Sequence, residues 1–247
     1  MLTFYFGVMG SGKSAFALMT WHEKHRPTAS HHPNRAVLAT TMDRSVDKVT
    51  SRTGMAAQAL RITPGEVTPE MFGGADTVVI DEAQFLTPDD VDGLATLAAA
   101  GTDVVCFGLR TDFTSRMFAG SRRLLELADH VGHLPIEPRC ARCERPALIN
   151  ARRVNGVVTT EGDTVVIGDV TGGSPSDPDQ LGFDDTSAGG QPGTGLGAAG
   201  RVSVEYDPMC FGCWSNEVGA RRFIDLRQSP ESRHESGEPG SGQHGHR

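Results

Sequence analysis

Gly7-Val8-Met9-Gly10-Ser11-Gly12-Lys13-Ser14 forms a complete G-x-x-x-x-G-K-S segment. In such a loop the backbone N–H groups turn inward around phosphate oxygens, and the positive end of the following helix adds to the attraction. Lys13 is then placed to reach the β- and γ-phosphates of a nucleotide, and the Ser14 hydroxyl to ligate Mg²⁺. The surroundings suit that chemistry. Leu2, Phe4 and Phe6 alternate onto one face of a short strand before the loop, and Ala15 to His25, free of proline, reads as a helix after it. A chance glycine turn would not come with both.

A pair of acids follows a second apolar run. Thr77-Val78-Val79-Ile80 is wholly β-branched, as expected for a strand buried on both faces, and it ends in Asp81-Glu82-Ala83-Gln84. A phosphate-loop protein uses an acid at the end of a buried strand beside its magnesium. A second acid directly after it can serve as a base. Adjacent side chains leave a strand end on different sides, so Asp81 and Glu82 need not share a task. The plainer reading, two acids capping a sheet edge in solvent, is disfavoured by the loop upstream.

Cys140-x-x-Cys143 and Cys210-x-x-Cys213 are two pairs able to set four thiolates around one tetrahedral Zn²⁺. Four thiolates leave no open position for a substrate, so such a site is structural. The interval between the pairs is long, but it shortens to a more ordinary scale once a glycine-rich stretch at 171–200 is set aside. Cys106, inside the apolar Val104-Val105-Cys106-Phe107, reads as a small core residue. Phe113 and Arg116 follow that strand beyond Leu109, on the side where open α/β sheets bind ligands. Phe113 can stack a base there or pack into the core. His22, His25, His31 and His32 read as a solvated helix end, and the tail histidines His234, His244 and His246 suggest no site.

These groups need a scaffold to converge. Besides the first strand, strands are expected at 36–40, 77–80 and 104–107. A helix should begin at Thr87-Pro88-Asp89-Asp90, with a capping threonine, proline in the first turn and acids beside the helix N-terminus. It carries Val91, Leu94, Leu97 and Ala98 on one face and stops at Gly101, and a further helix spans 121–128. Such alternation favours an α/β fold, a parallel sheet with helices on its faces. From Cys140 the texture changes to short β-like pieces at 147–154, 157–160, 164–167 and 202–206, parted by turns such as Asn155-Gly156 and Glu161-Gly162-Asp163. The expected division is 1–138 for a nucleotide-binding domain and 139–227 for a small zinc-binding domain of strands and loops. Within the latter, 171–200 is expected to be a disordered insertion, and 228–247 a disordered tail.

Composition excludes some classes of function. Glycine supplies 30 of 247 residues, nine of them within 171–200, so the excess marks that stretch as much as a phosphate loop. Apolar residues at 38% and the lack of any long apolar run argue against a membrane protein. A net charge of −8 argues against a chain that wraps a nucleic-acid backbone. The first residues lead straight into the glycine loop, with no signal peptide expected, and the cysteines then suit a reducing cytoplasm.

Taken together, these residues resemble the type II thymidine kinases, the family of the cellular and many bacterial enzymes. The phosphate loop with Met9 in third place is that family's version. Ile80-Asp81-Glu82-Ala83-Gln84-Phe85 is similar to its Asp-Glu-x-Gln-Phe segment, and Gly108-Leu109-Arg110-Thr111-Asp112-Phe113 with Phe118-x-Gly120-Ser121 looks like the bacterial members. Ser51-Arg52-Thr53-Gly54, the Cys140/Cys143 pair, Val166-Ile167-Gly168 and Tyr206-x-x-x-Cys210-x-x-Cys213 also match. The resemblance covers about residues 2 to 214. Gly168-Asp169 departs from the family's Gly-Gly, and Cys210-Phe211-Gly212-Cys213 lacks its arginine.

The resemblance implies a P-loop NTPase of the RecA-like kind with a small zinc-ribbon-like lasso domain. It implies ATP held by Gly7, Val8, Met9, Gly10, Ser11, Gly12, Lys13 and Ser14, with Asp81 near Mg²⁺ and Gln84 beside the nucleotide. Glu82 would be the general base for the thymidine 5′-hydroxyl. Phe113 would stack on thymine and Met9 lie by its 5-methyl group. Thr164, Val165, Val166, Ile167, Gly168 and Tyr206 would close over the nucleoside, largely through main-chain groups. Family members are commonly homotetramers inhibited by thymidine triphosphate. The rival reading is a nucleic-acid-dependent ATPase with a structural zinc ribbon, since Asp81-Glu82-Ala83-Gln84 also resembles a helicase box; it lacks a second motor domain and a basic track.

Overall fold

A computed structural model describes residues 1–25, 34–41, 47–162 and 203–219. The readings made for Thr164 to Gly168, His31 and His32, the 171–200 stretch and the tail with its histidines lie outside the described residues. Six strands form one sheet: β1 (Leu2–Phe6), β2 (Ala36–Thr40), β5 (Leu60–Arg61), β6 (Thr77–Asp81), β7 (Asp103–Gly108) and β8 (His130–His133). Their order is β5-β2-β6-β7-β1-β8, and every neighbouring pair is parallel. Helices α1 (Lys13–His25), α2 (Pro88–Ala99) and α3 (Ala119–Leu127) connect them. The expected α/β sheet is therefore the one observed.

The apolar pattern explains the layering. Leu2, Phe4 and Phe6 of β1 join Ile80, Leu94 and Leu124 in a core beneath α2 and α3. Ala17 and Leu18 of α1 close over Leu38, Val79 and Phe107 on the opposite face. The central strands β6 and β7 thus meet helices on both sides, which is why their sequences are almost continuously apolar. Each fully buried large side chain contributes ~1.5–3 kcal/mol. α2 begins as expected: the Thr87 side chain accepts from the Asp90 N–H at 3.2 Å and Asp90 answers from the Thr87 N–H at 2.8 Å. The Asp90 carboxylate also accepts from the N–H groups of Gly65 and Val67, tying the 63–68 loop to the helix start.

Several boundaries differ from the sequence reading. α1 begins at Lys13 rather than Ala15, so the phosphate-loop lysine and serine already belong to the helix's first turn. α3 runs from Ala119 to Leu127 rather than over 121–128. The hairpin of β3 (Lys48–Thr50) with β4 (Ala56–Gln58), the two-residue β5 and the edge strand β8 had no clear sequence signature. The second body holds an antiparallel sheet in the order β10-β9-β11, from β9 (Ile149–Val154), β10 (Val157–Thr159) and β11 (Val204–Met209). It is not made of strands and loops alone. Helix α4 (Phe211–Val218) starts directly at the second cysteine pair, with Cys210 as its N-cap residue.

Candidate active site

The carboxyl ends of β1, β6 and β7 lie side by side in the sheet, and the three segments singled out in the sequence leave from those ends. Gly7 to Ser14 follow β1, Asp81 and Glu82 close β6, and Leu109 to Phe113 follow β7. This is the edge where open parallel sheets bind ligands. A cleft of about 370 Å³ opens there, lined by Gly10, Lys13, Ser14, Asp81 and Glu82 on one side and by Lys48 to Thr53 on the other.

The phosphate loop is shaped by its glycines. Gly10 and Gly12 sit at φ of 84° and 82°, in the left-handed region that side chains avoid. Gly7 is also constrained, because a Cβ there would run into the Ser11 hydroxyl. Lys13 is 8% exposed, and its Nζ donates to the carbonyls of Gly7 at 3.2 Å and Val8 at 3.0 Å. Burial lowers its pKa, opposed by the charges of Glu82 and Asp81. A largely buried ammonium held by two loop carbonyls suits an anionic partner.

Asp81 is 3% exposed, and burial raises its pKa, reinforced by the neighbouring Glu82 charge and offset by a hydrogen bond with Ser14. Its Oδ1 has no partner among the described residues. A buried carboxylate oxygen without a donor, beside a serine hydroxyl, is an oxygen donor set that fits a hard cation such as Mg²⁺. Glu82 is turned away from the strand. Its φ of 58° is left-handed, rare for a side-chain-bearing residue. Two contacts hold that turn: the Thr41 hydroxyl donates to the Glu82 carbonyl at 2.6 Å, and Gln84 Nε2 donates to Glu82 Oε2 at 2.6 Å. Asp81 and Glu82 thus have different hydrogen-bond partners, although both line the cleft. Gln84, expected at the nucleotide, is 2% exposed and has its amide engaged by Glu82 and by the Leu109 N–H at 3.0 Å.

Phe113 lies in a closed loop in which Asp112 Oδ1 accepts from the N–H groups of Thr114 and Arg116 and from the Thr114 hydroxyl. The ring is 3% exposed, and the Arg152 guanidinium lies 5.2 Å from its centroid. Tyr206 stands opposite Arg152 in the β11–β9 register. Arg52, which received no role from its position alone, lines the cleft close enough for its charge to depress the Lys13 pKa.

The two cysteine pairs, far apart in sequence, converge. The sulfurs of Cys140, Cys143, Cys210 and Cys213 lie within 4.8 Å of one another. Arg145 Nε is 3.3 Å from Cys143 Sγ and holds that thiol below the usual range, whereas hydrogen bonding to Cys143 and Cys210 pushes Cys213 up. Four sulfurs this close form the donor set of a tetrahedral metal ion. Arg145 also approaches Gly212, in the second pair. Cys106 is fully buried, as expected of a core residue.

Comparison with known proteins places this geometry. A family model described as thymidine kinase matches residues 1–171. A Cutibacterium acnes protein named thymidine kinase is 39% identical over 182 residues, covering 70% of this chain and 82% of its own length. A Streptomyces coelicolor protein of the same name is 38% identical, covering 74% of this chain and 84% of its own length. One from phage T4 is 33% identical over 68% of this chain and 89% of its own. The match spans the phosphate loop, the acids at the end of β6, the loop after β7 and the first cysteine pair, and the chain belongs to the thymidine kinase family.

Proposed function

We propose that the chain transfers the γ-phosphoryl group of ATP to the 5′-hydroxyl of thymidine, giving thymidine monophosphate and ADP. The observation that carries this reading is the meeting of Lys13, Asp81 and Glu82 in one cleft at the carboxyl edge of the sheet. Phosphoryl transfer asks mainly for positioning and charge neutralisation. The loop from Gly7 to Ser14 binds the phosphates, and Lys13 and Arg52 bring positive charge to them. Glu82 accepts the proton of the 5′-hydroxyl as the new O–P bond forms and the bond between the γ-phosphorus and the ADP oxygen breaks. The turn at Glu82 is held by Thr41, and Gln84 holds its carboxylate.

Ser14 and Asp81 would hold Mg²⁺, whose charge neutralises the phosphates. Cys140, Cys143, Cys210 and Cys213 would hold a structural Zn²⁺. Phe113, Met9 and Tyr206, with Thr164, Val165, Val166, Ile167 and Gly168, are assigned to the nucleoside, and Gln84 to orienting Glu82. The same reading carries a nucleotide-binding domain at 1–138, a zinc-binding domain at 139–227 with an insertion at 171–200, a tail at 228–247, a homotetramer and a cytoplasmic place of work. No helix among the described residues is long and apolar enough to cross a membrane.

One assay tests the proposal. The protein is incubated with ATP, Mg²⁺ and either thymidine or single-stranded DNA. Formation of thymidine monophosphate is the expected result. Phosphate release stimulated by DNA, with no nucleotide product, would select the nucleic-acid-dependent ATPase instead.

A further inference from the structure

Alternate residues of β9 face two different bodies. Ile149 and Ala151 pack with Cys140, Val158, Met209 and Trp214 in the small core. Asn150 and Arg152 project from the opposite face, as the period of two requires, and meet the two ligand-binding loops of the large sheet. Asn150 Oδ1 accepts from the Met9 N–H at 2.7 Å, and Arg152 lies over the Phe113 ring at 5.2 Å. Those loops follow β1 and β7, which are neighbours in the sheet.

We propose that β9 is a two-point clamp, in which Asn150 positions the phosphate loop and Arg152 positions Phe113. It rests on the nucleoside kinase reading. Through this clamp the cysteine-bound body sets the distance between nucleotide and nucleoside.

The physical case begins with one peptide plane. The Met9 N–H and the Val8 carbonyl belong to the same planar unit. Asn150 holds the N–H end, and the carbonyl end accepts from Lys13 Nζ at 3.0 Å and from the Ser11 N–H at 3.2 Å. Fixing one end of that plane fixes the other, so Asn150 sets the carbonyl on which Lys13 rests. Gly10, directly after Met9, has a left-handed φ and supplies little restraint of its own. Asn150 is 4% exposed, so the bond is made away from competing water. A pocket of about 40 Å³ borders this contact, with Gly7, Val8, Ala147, Leu148 and Asn150 among its lining residues.

At the second point a cation faces an aromatic ring, an attraction that grows on desolvation. Gly162 permits it, since its φ is left-handed and a Cβ there would press on the Arg152 guanidinium. Arg152 thus lies over the ring that is assigned to thymine. The two side chains are positioning residues, because both act through another group.

The test uses the full-length, metal-loaded protein and the variants N150L, R152M and R152K, with ADP and thymidine as calorimetric probes. Metal content and melting temperature check that each variant is folded. N150L should weaken ADP about tenfold, and amide exchange of the peptide containing Met9 should quicken. R152M should weaken thymidine about fivefold and leave ADP within twofold, with R152K restoring thymidine. Should N150L not fold, N150S replaces it, its hydroxyl being too short to keep the bond. ADP affinity and Met9 exchange both within twofold of the parent would overturn the first point. Unchanged thymidine affinity in R152M would overturn the second. A parent protein that binds ADP but phosphorylates no thymidine defeats the functional reading alone, since the Asn150 arm is read from ADP and exchange.

Discussion

Gln84 joins the ends of two strands through one buried amide: its Nε2 donates to Glu82 Oε2 at 2.6 Å, and its Oε1 accepts from the Leu109 N–H at 3.0 Å. The side chain therefore ties the acid after β6 to the loop after β7. In Q84L both bonds vanish and the Leu109 N–H is left buried without an acceptor. An unsatisfied buried donor costs about 2 kcal/mol. Q84L should lose about that much stability in urea unfolding, and kcat should fall about tenfold as Glu82 loses its orientation. An unchanged unfolding midpoint would remove Gln84 from this structural role.

Glu82 itself should separate binding from chemistry. E82Q keeps the shape of the side chain and one acceptor oxygen for Gln84 but cannot take the 5′-hydroxyl proton. Its kcat should fall by about a hundredfold or more, with ADP affinity within about twofold of the parent. Initial rates of thymidine monophosphate formation and calorimetry with ADP measure the two quantities. Turnover at the parent rate would refute the role of general base.

Much of this site was legible in the sequence because its parts are local. The glycine loop, the acids closing an apolar run and the paired cysteines each declare themselves within a few residues. The apolar runs of β6 and β7 point to a parallel sheet because helices cover both of its faces. What stayed hidden depends on distant contacts. β8 is an edge strand of two histidines, a valine and a glycine, and only its pairing with β1 makes it a strand. α4 begins where Cys210 caps it, a role set by the cysteine cluster rather than by an apolar stripe. Where the Gln84 amide oxygen goes depends on Leu109, which lies 25 residues away in the sequence. The Asn150–Met9 bond spans 141 residues, and nothing near either residue in the sequence signals it.

The buried acid makes stability depend on pH in a specific direction. Burial and the Glu82 charge raise the Asp81 pKa in the folded state above its unfolded value. The folded protein therefore favours protonated Asp81. The destabilisation is absent below the unfolded carboxylate range, grows as pH rises through the folded pKa, and is complete above it. D81N removes it. Without added Mg²⁺ or nucleotide, D81N should melt above the parent at pH 8, and the gap should narrow as the pH falls toward 5. A D81N melting temperature below the parent at pH 8, or a gap independent of pH, would contradict this account. Activity moves the other way, since D81N lacks the carboxylate assigned to Mg²⁺.

Thiol chemistry should sort the five cysteines into two groups. Cys106 is fully buried among apolar neighbours, and burial pushes its thiol up to about 12. The thiolate is the reactive form, so Cys106 should ignore alkylating reagents in the native protein at pH 8. Cys143 is exposed, and Arg145 holds its thiol well below the usual range, so only a bound metal would keep it from reacting. With metal bound, the native protein should show no rapidly reacting thiol. A chelator should release four, Cys143 first, and Cys140 and Cys210 more slowly because both are buried. The fifth should react only on unfolding of the central sheet, since Cys106 lies fully buried in β7. Mass spectrometry of peptides after timed alkylation reads each site separately. Rapid labelling of Cys106 before denaturation would show that the central sheet opens locally, and four fast thiols before chelation would show that no metal is held.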